Sequence, residues 1–309
     1  MIKTAICGAA LALAPLALSA QATLTAETTT PGSTPHYIDT TLAAVLDSAG
    51  VATMQITEGA TLTMPEAGDR YMSVMVVNQD HYINKVFHGG GSFALDMETF
   101  DTPYVILVVR TLVDADDPED VAAVAALQDE MKLEANSAKP FIMPNYDDDS
   151  FDAVLQAALA LSPHVPDTVA TFGAKDEVQA VRHFLGTALG FGGLPEKEAF
   201  YLNVDPRLPV STYKIDVPAD VPVGAFWSVS LYNASGFFEK NDIDGYVINS
   251  VMGDRNDDGS MTVNLGGCED DRVNCLPIME GWNYTVRLYR PDASIIDGSW
   301  DFPTAVPAD

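Results

Sequence analysis

The sequence has few positively charged residues. It contains 16 lysines and arginines against 44 aspartates and glutamates, which gives a formal net charge of −28 at pH 7. Nucleic acids and anionic membranes both attract cationic proteins, so this balance argues against either as a partner. It suits a protein that stays soluble in salty water, where counterions screen the repulsion between carboxylates. A marine or halophilic bacterial source is therefore expected.

Long apolar runs are also rare, and the exception is at the start of the chain. Lys3 precedes an apolar stretch (4–19), and Ala20-Gln21-Ala22 has the pattern of a cleavage site. These features are typical of a secretory signal peptide over residues 1–22, so a periplasmic or secreted protein is expected. A membrane anchor is disfavoured because the stretch is short and small residues follow it, where an anchor would carry basic ones. No other run approaches spanning length, so no membrane insertion is expected after cleavage.

Cysteine is scarce as well. Of three cysteines, Cys7 lies in the expected signal peptide, which leaves Cys268 and Cys275. In an oxidising compartment these two are expected to form a disulfide rather than remain free thiols. Closing so short a loop stabilises by roughly 2.5 kcal/mol in the chain-entropy model. A zinc site is disfavoured because zinc takes four ligands and no histidine lies nearby.

Known catalytic motifs are missing. The sequence has no G-x-S-x-G elbow, no H-E-x-x-H pair, no phosphate loop and no dinucleotide fingerprint. The glycines of GFGG (190–193) follow a predicted helix, whereas glycines that bind phosphate precede one. They are therefore interpreted as a helix cap.

The patterns that are present predict a β-rich chain with a helical middle. Apolar and polar residues alternate in YMSVMVVN (71–78), FWSVSLY (226–232) and NYTVRLY (283–289), and PYVILVVR (103–110) is apolar nearly throughout. Three helices are predicted over 116–134, 147–162 and 174–190, the last with Val181 and Leu185 on its inner stripe.

The predicted fold class is mainly β (α+β), with two antiparallel β-sandwich or jelly-roll-like domains bridged by about three helices. The predicted divisions are a signal peptide (1–22), a polar lead (23–35), an N-terminal β domain (36–115), a helical connection (116–192) and a C-terminal β-sandwich domain (193–309).

Several segments carry a family resemblance. VRHFLGTALGFGGLPEKEAFYLNV, GAFWSVSLYNASGFFEKND and GGCEDDRVNCLPIMEGWNYTVRLYRP resemble the bacterial family called domain of unknown function 1214. GDRYMSVMVVNQDHYINKVF and TPYVILVVRTLVDADDPEDVAAVAALQDE are similar to its usual N-terminal companion, domain of unknown function 1254. The resemblance implies an exported, two-domain, β-rich fold and no established reaction.

The N-terminal part of this resemblance is truncated. His36 to Leu42 stand where the family has an Asn-x-Asp-Thr-Leu-Tyr-like motif, and most of the helical region that precedes that motif is missing. Any site that the family builds there is therefore not expected to be complete in this chain.

Three residues are candidates for catalysis: His81, Arg110 and Arg182. His81 follows a predicted strand and could act as a general base, although a hydrogen-bonded loop histidine is the alternative. Arg110 ends a buried strand and could bind a carboxylate or phosphate, as could Arg182. Both arginines could equally have a structural role in ion pairs.

Two tyrosines are candidates for ligand binding. Trp227 and Tyr284 share the apolar faces of their strands, which is the pattern of core residues. Tyr232 and Tyr289 lie on the opposite, more polar faces, beside Ser228, Ser230, Thr285 and Arg287. If a sugar ring or another ligand stacks on this protein, these two tyrosines are the expected platform.

A calcium site is the one metal alternative. Asp254, Asn256 and Asp258 match the start of a calcium loop, but the position that should supply a bidentate glutamate is Leu265. The stretch is therefore interpreted as a hairpin turn, with weak calcium binding as the alternative, and no cofactor is expected.

Two functions remain open at this point. The first is a non-catalytic protein that binds a small molecule or glycan, or supports an assembly of the cell envelope. The alternative is a hydrolase with its site at the interface of the two β domains, built on Arg110, His81 and Arg182. The missing nucleophile and metal motifs favour the first function, and whether the protein is an enzyme is left open.

Overall fold

The structure is a computed structural model of the full chain. It describes residues 51–308 apart from 115, 116, 138, 140, 142–146, 162, 163, 166 and 271. The predicted signal peptide, the polar lead and the motif-like segment 36–42 lie outside the described residues. Contacts divide the described chain into an N-terminal unit (51–165 with 170–195) and a C-terminal unit (167–169 with 196–308).

The N-terminal unit contains two antiparallel sheets. The larger one has the strand order β1 (Val51–Gln55), β6 (Tyr104–Thr111), β3 (Met72–Asn78), β4 (Lys85–His88). The smaller one has the order β5 (Gly91–Leu95), β2 (Ala60–Met64), β7 (Lys132–Ala135). A short helix, α1 (Met97–Phe100), precedes β6.

Alternation along the strands builds the core of this unit. Met72, Val74 and Val76 of β3 pack with Val105, Leu107 and Val109 of β6, and Leu62 of β2 joins them from the smaller sheet. The other face of β3 carries Ser73, Met75 and Val77, and these are also buried. The larger sheet is therefore covered on both faces, as the apolar strand 103–110 predicts.

The helices of the N-terminal unit are shorter than predicted. The first, α2 (Pro118–Asp129), is capped by the Asp117 side chain, which accepts from the backbone of Glu119. It ends before residue 134, because 132–135 pairs with β2 as strand β7. The second helix is α3 (Asp148–Leu161).

The third helix, α4 (Ala180–Leu189), also differs in its inner face. Residues 174–179 form turns, so the helix begins six residues later than predicted. Leu185 and Ala188 are buried as the pattern predicts, but Val181 is 66% exposed and His183 is buried. The prediction for Val181 is wrong: Leu185 and Ala188 pack with Ala158 of α3, and Val181, in the first turn of α4, lies outside the described part of that cluster. His183 is buried on the opposite side of the helix.

The C-terminal unit contains two four-stranded sheets. One, the polar-faced sheet, has the order β11 (Val247–Asn249), β10 (Trp227–Tyr232), β14 (Asn283–Tyr289), β8 (Ala199–Val204). The other has the order β13 (Cys275–Leu276), β12 (Met261–Leu265), β9 (Tyr213–Val217), β15 (Val306–Pro307). Only the β12–β13 pair is parallel among these described strands.

Inward residues of both sheets form the C-terminal core. Trp227 and Val229 of β10, Tyr284 and Val286 of β14, and Val263 of β12 are all buried in it. The expected core role of Trp227 and Tyr284 is thus confirmed. A short helix, α5 (Ala293–Ile296), follows β14.

The stretch 253–265 joins strands of different sheets. β11 pairs with β10, whereas β12 pairs with β9 and β13. The turn before β12 is closed by the backbone N–H of Asn256, which donates to the Ser260 carbonyl at 2.8 Å, and Gly259 has a left-handed φ of 83°. The prediction of a turn is confirmed, but the prediction of a hairpin is wrong, since the chain crosses here from one sheet to the other.

The predicted mainly β, α+β fold class is confirmed by these sheets and by the few helices that accompany them. The predicted disulfide between Cys268 and Cys275 is also confirmed. In the described part of the chain, no helix is long and apolar enough to cross a membrane.

Candidate functional site

His81 lies in the turn between β3 and β4. The side-chain oxygen of Asn78 accepts hydrogen bonds from the backbone of Asp80 (3.0 Å) and Tyr82 (2.9 Å), and His81 between them is left-handed with φ 71°. The turn presents the His81 ring edge-on to Phe191, with ring centroids 5.6 Å apart. His81 is therefore half-buried against the segment that follows α4.

Arg110 contacts the same segment from β6. Its side chain is half-buried, and its guanidinium donates to the carbonyl of Gly192 at 2.8 Å and lies 3.9 Å from the sulfur of Met75. His81 and Arg110 thus contact consecutive residues of the 190–193 segment. These contacts join that segment to the sheet. The ion pair that the sequence left open for Arg110 stays a prediction.

Arg182 is half-buried on α4, next to a buried histidine that sequence reasoning did not select. The His183 ring stacks on Tyr82 with centroids 4.8 Å apart, and its Nδ1 is 3.0 Å from the carbonyl of Thr171. Its Nε2 is 3.5 Å from the carbonyl of Asp80. His183 therefore joins α4 to the turn that carries His81. No local pattern indicated it, because residue 183 lies about 200° around the helix from Leu185 and so outside the apolar stripe.

A serine stands between Arg110 and His88 on the larger N-terminal sheet. Ser73 of β3 is the direct neighbour of Arg110 on β6 and of His88 on β4. Facing residues of neighbouring antiparallel strands point to the same side, so the three side chains form a row. The Ser73 hydroxyl is buried and has no hydrogen-bond partner among the described residues.

Tyr232 and Tyr289 lie on the face of the polar-faced sheet that points away from the C-terminal core, as the alternation predicts. Both are buried, with 4% and 3% of their surface exposed. Tyr232 stacks on Phe238 with centroids 5.0 Å apart, and Tyr289 stacks on Phe226 at 4.2 Å. The two tyrosines are thus parts of aromatic pairs.

Three hydroxyl groups surround a buried arginine on this same face. Arg287 is 9% exposed, and its guanidinium donates to the hydroxyls of Ser230 (2.7 Å) and Tyr232 (2.9 Å). Ser228 is the direct cross-strand neighbour of Arg287. The Ser228 hydroxyl is fully buried and has no hydrogen-bond partner in the part of the chain that the structure describes. We call these residues the hydroxyl–arginine cluster (Ser228, Ser230, Tyr232 and Arg287).

Sequence reasoning placed this cluster on one polar face but did not select Arg287 as a binding residue. The alternation of β10 and β14 was sufficient to put all four side chains on the same face. It did not indicate that the face is buried. Burial matters because a charged side chain removed from water costs free energy unless it is hydrogen-bonded or paired.

The candidate calcium ligands lie in the turn before β12. The carboxylate of Asp258 accepts hydrogen bonds from the backbone (3.0 Å) and hydroxyl (2.6 Å) of Ser260, and these bonds lower the pKa of Asp258. The Asn256 amide donates to the hydroxyls of Ser260 and Thr262, and the Asp254 backbone pairs with the Asn274 side chain. Within the described ranges, no group of three or more His, Cys, Asp or Glu residues is placed to hold a metal. Weak calcium binding by Asp254, Asn256 and Asp258 stays a prediction.

The described fold defines a mainly β protein of two units, each with two sheets, and its polar-faced sheet carries the hydroxyl–arginine cluster. Residues 206–293 match the family described as "Protein of unknown function (DUF1214)". The predicted resemblance to that family is therefore confirmed for the C-terminal region, and the resemblance of the N-terminal region to family 1254 stays a prediction. No curated protein matches this chain.

The solved structures that are similar to this chain include the following two. The VPA0106 protein from Vibrio parahaemolyticus has a TM-score of 0.67 and 19% sequence identity, over 84% of this chain and 88% of that one. A putative uncharacterized protein from Burkholderia cenocepacia has a TM-score of 0.49 and 15% identity, over 83% of this chain and 75% of that one. The first likeness shows a shared fold, and the second is too distant to support an argument.

Proposed function

We propose that this protein is an exported, non-catalytic binding protein whose C-terminal unit takes a small acidic, hydroxylated molecule at the hydroxyl–arginine cluster. Uronic acids and hydroxy acids have the required chemistry, since each carries a carboxylate and at least one hydroxyl. The buried hydroxyl of Ser228, which has no hydrogen-bond partner among the described residues, is the observation that carries the proposal. The signal-peptide pattern of residues 1–22 supports export.

The arginine of the cluster is suited to a carboxylate. Its guanidinium is planar, stays charged at any physiological pH and carries five N–H donors in a fixed fork. The hydroxyls of Ser230 and Tyr232 accept hydrogen bonds from that fork and orient it. A ligand carboxylate accepts two parallel hydrogen bonds from such a fork, and these are among the strongest that proteins make.

The serine of the cluster is suited to a ligand hydroxyl. Leaving a buried hydroxyl without a hydrogen bond costs about 1–3 kcal/mol. A ligand oxygen near Ser228 would recover that free energy, and the recovery would add to binding affinity. Ser228 faces Arg287 across the strand pair, so one ligand with adjacent carboxylate and hydroxyl groups would reach both residues.

The aromatic side chains that contact Tyr232 of the cluster are suited to stacking on the ring of a sugar ligand. Phe238 lies in the 233–246 connection between β10 and β11, stacks on Tyr232 and also contacts Tyr246. The side chain of Asn233 organises the start of this connection by accepting from the backbone of Ser235 and Phe237. A sugar ring that displaced Phe238 would find the Tyr232 ring beneath it, because sugar faces stack on aromatic rings as another aromatic ring does.

Isothermal titration calorimetry with glucuronate and glucose tests the proposal. The two sugars differ at C6 by a carboxylate against a hydroxymethyl group, so we expect glucuronate to bind at least tenfold more tightly. Arg287→Gln should remove this difference. Thr285→Ala should not, because its hydroxyl bonds to Asn203 of β8 (2.9 Å), although Thr285 itself lies directly opposite Ser230. Equal binding of the two sugars, or undiminished binding by a folded Arg287→Gln protein, would refute the proposal.

The hydrolase alternative has less support from the contacts of its candidate residues. Arg110 bonds to the carbonyl of Gly192, and the His81 ring packs on Phe191, so both residues serve to hold the 190–193 segment. The envelope-scaffold alternative predicts that no small acid binds. The same calorimetry therefore separates it from the proposed function.

A further inference from the structure

A cavity of about 270 Å³ opens beside α5 in the C-terminal unit. Its walls are apolar side chains from β8, β14, α5 and the segment that follows α5, namely Phe200, Leu202, Leu288, Ile295, Trp300 and Phe302. Phe200 and Leu288 face each other across β8 and β14, on the side of the polar-faced sheet opposite to Arg287. This α5 cavity is therefore separate from the hydroxyl–arginine cluster.

Carboxylates are the charged groups that line the α5 cavity. Asp167, Asp297 and Asp301 contribute to its lining, and the described lining residues include no lysine, arginine or histidine. The Asp167 carboxylate accepts from the backbone of Val169 at 2.9 Å, and the Asp297 carboxylate accepts from the backbone of Ser299 at 2.9 Å. These bonds hold both groups in position, and the bonds from Ser299 also lower the pKa of Asp297.

Trp300 adds an aromatic face to the same cavity. It is half-buried and meets Phe302 edge-to-face, with centroids 6.2 Å apart. Trp227 and Trp282, the other two tryptophans, are buried in the C-terminal core. An indole face near carboxylates attracts organic cations, since the negative face of the ring and the negative side chains act in the same direction.

We propose that the α5 cavity binds a small organic ammonium ion, with its hydrocarbon group against the apolar walls and its nitrogen at Asp297 and Asp301. The volume corresponds to about nine water molecules, which suits an aromatic or branched aliphatic amine. Expelling water from the apolar walls favours the hydrocarbon group. The carboxylates then select for a positive charge and against a negative one.

Three probes of similar shape and different charge test this proposal on the unmodified protein. They are phenethylamine, which is protonated at pH 7, its neutral alcohol analogue 2-phenylethanol, and the anion phenylacetate. We expect calorimetry to show phenethylammonium binding at least tenfold more tightly than 2-phenylethanol and phenylacetate not binding. Equal affinity for the three probes, or no binding of phenethylammonium, would overturn the proposal whether or not any variant folds.

Charge-neutralising variants then distinguish binding in the cavity from attraction by the overall negative charge of the chain. Asp297→Asn combined with Asp301→Asn should weaken phenethylammonium binding at least tenfold. Asp257→Asn with Asp205→Asn removes the same charge from exposed positions that do not line the cavity, and it should leave binding unchanged. Equal weakening by the two double variants would mean that the ion responds only to the overall negative field, and the assignment to the cavity would be wrong.

The two proposals are tested independently. Arg287→Gln should leave phenethylammonium binding intact, since Arg287 lies on the other face of the sheet. Trp300→Phe should reduce the phenethylammonium-induced change in tryptophan fluorescence, because Trp300 lines the cavity, whereas Trp227 contacts only its lining residue Phe302. A fluorescence change of undiminished size in Trp300→Phe would contradict the placement of the ligand in the α5 cavity.

Discussion

Replacing Ser228 by alanine should stabilise the protein. The substitution removes a fully buried hydroxyl that has no hydrogen-bond partner within the described residues, and it keeps the Cβ that packs on the sheet. A polar group of this kind costs about 1–3 kcal/mol, while the small void left by an oxygen atom offsets part of the gain. We therefore expect the free energy of unfolding to rise by about 1 kcal/mol.

Ser230 provides a matched control on the same strand and the same face. Its hydroxyl accepts from the Arg287 guanidinium at 2.7 Å, so Ser230→Ala leaves a buried, charged donor without this acceptor. A hydrogen bond to a charged group contributes about 1.5–3 kcal/mol. Ser230→Ala should therefore lower the free energy of unfolding by about 2 kcal/mol, opposite in sign to Ser228→Ala.

Urea unfolding followed by tryptophan fluorescence measures both effects, since Trp227 and Trp282 report on the C-terminal core. Glucuronate titration on the same proteins completes the experiment, because Ser228→Ala should weaken its binding about tenfold while it stabilises the fold. If Ser228→Ala destabilises as much as Ser230→Ala, the Ser228 hydroxyl has a partner in the folded protein. In that case the main support for the proposed binding site is lost.

Two further substitutions test contacts of the N-terminal unit. A Cβ at Gly186 would lie 2.0 Å from Cγ2 of the buried Thr171, so Gly186→Ala should destabilise by about 1–3 kcal/mol and speed hydrogen exchange in α4. Gly190→Ala, which meets nothing within 4 Å, is the control, and Thr171→Ser should rescue Gly186→Ala. Arg70 holds the pKa of Asp120 at about 2, below its ordinary value of 3.8. The resulting stability is present above pH 4 and is lost as the pH falls towards 2. Because both side chains are partly exposed, at 27% and 21%, we expect about 1 kcal/mol. Urea midpoints of wild type and Asp120→Asn should differ at pH 5 and converge near pH 2, and a constant difference would contradict the pKa assignment.

Much of the strand pattern was predictable because alternation depends on local sequence alone. Every strand that the sequence analysis selected, including 103–110 and 226–232, is a strand in the structure. The ends of helices were less predictable. Residues 132–135 continue a helical pattern, but their backbone pairs with β2, which lies about 70 residues earlier in the chain. Tertiary pairing of this kind overrides a local helix preference.

The sequence predicted which strand face carries the candidate site, but it did not predict which side chains surround that face. Alternation placed Tyr232 and Tyr289 opposite the core, but their stacking on Phe238 and Phe226 depends on loops whose path no local pattern fixes. The same limit applies to His183. Its buried position becomes visible only when Tyr82 and Thr171, from two distant segments, meet α4. Sequence analysis therefore selected side chains by type, and the structure supplied their partners.

The net charge of −28 gives the two proposed ligands opposite dependences on salt. The field of the chain repels an acid as it approaches Arg287 and attracts an ammonium ion to the α5 cavity. Salt screens this field over a length of about 10 Å at 0.1 M and about 3 Å at 1 M. Raising sodium chloride from low to high concentration should therefore strengthen glucuronate binding and weaken phenethylammonium binding, while the bond between Arg287 and a buried carboxylate changes little. If both ligands respond to salt in the same direction, one of them binds at a site other than the one proposed for it.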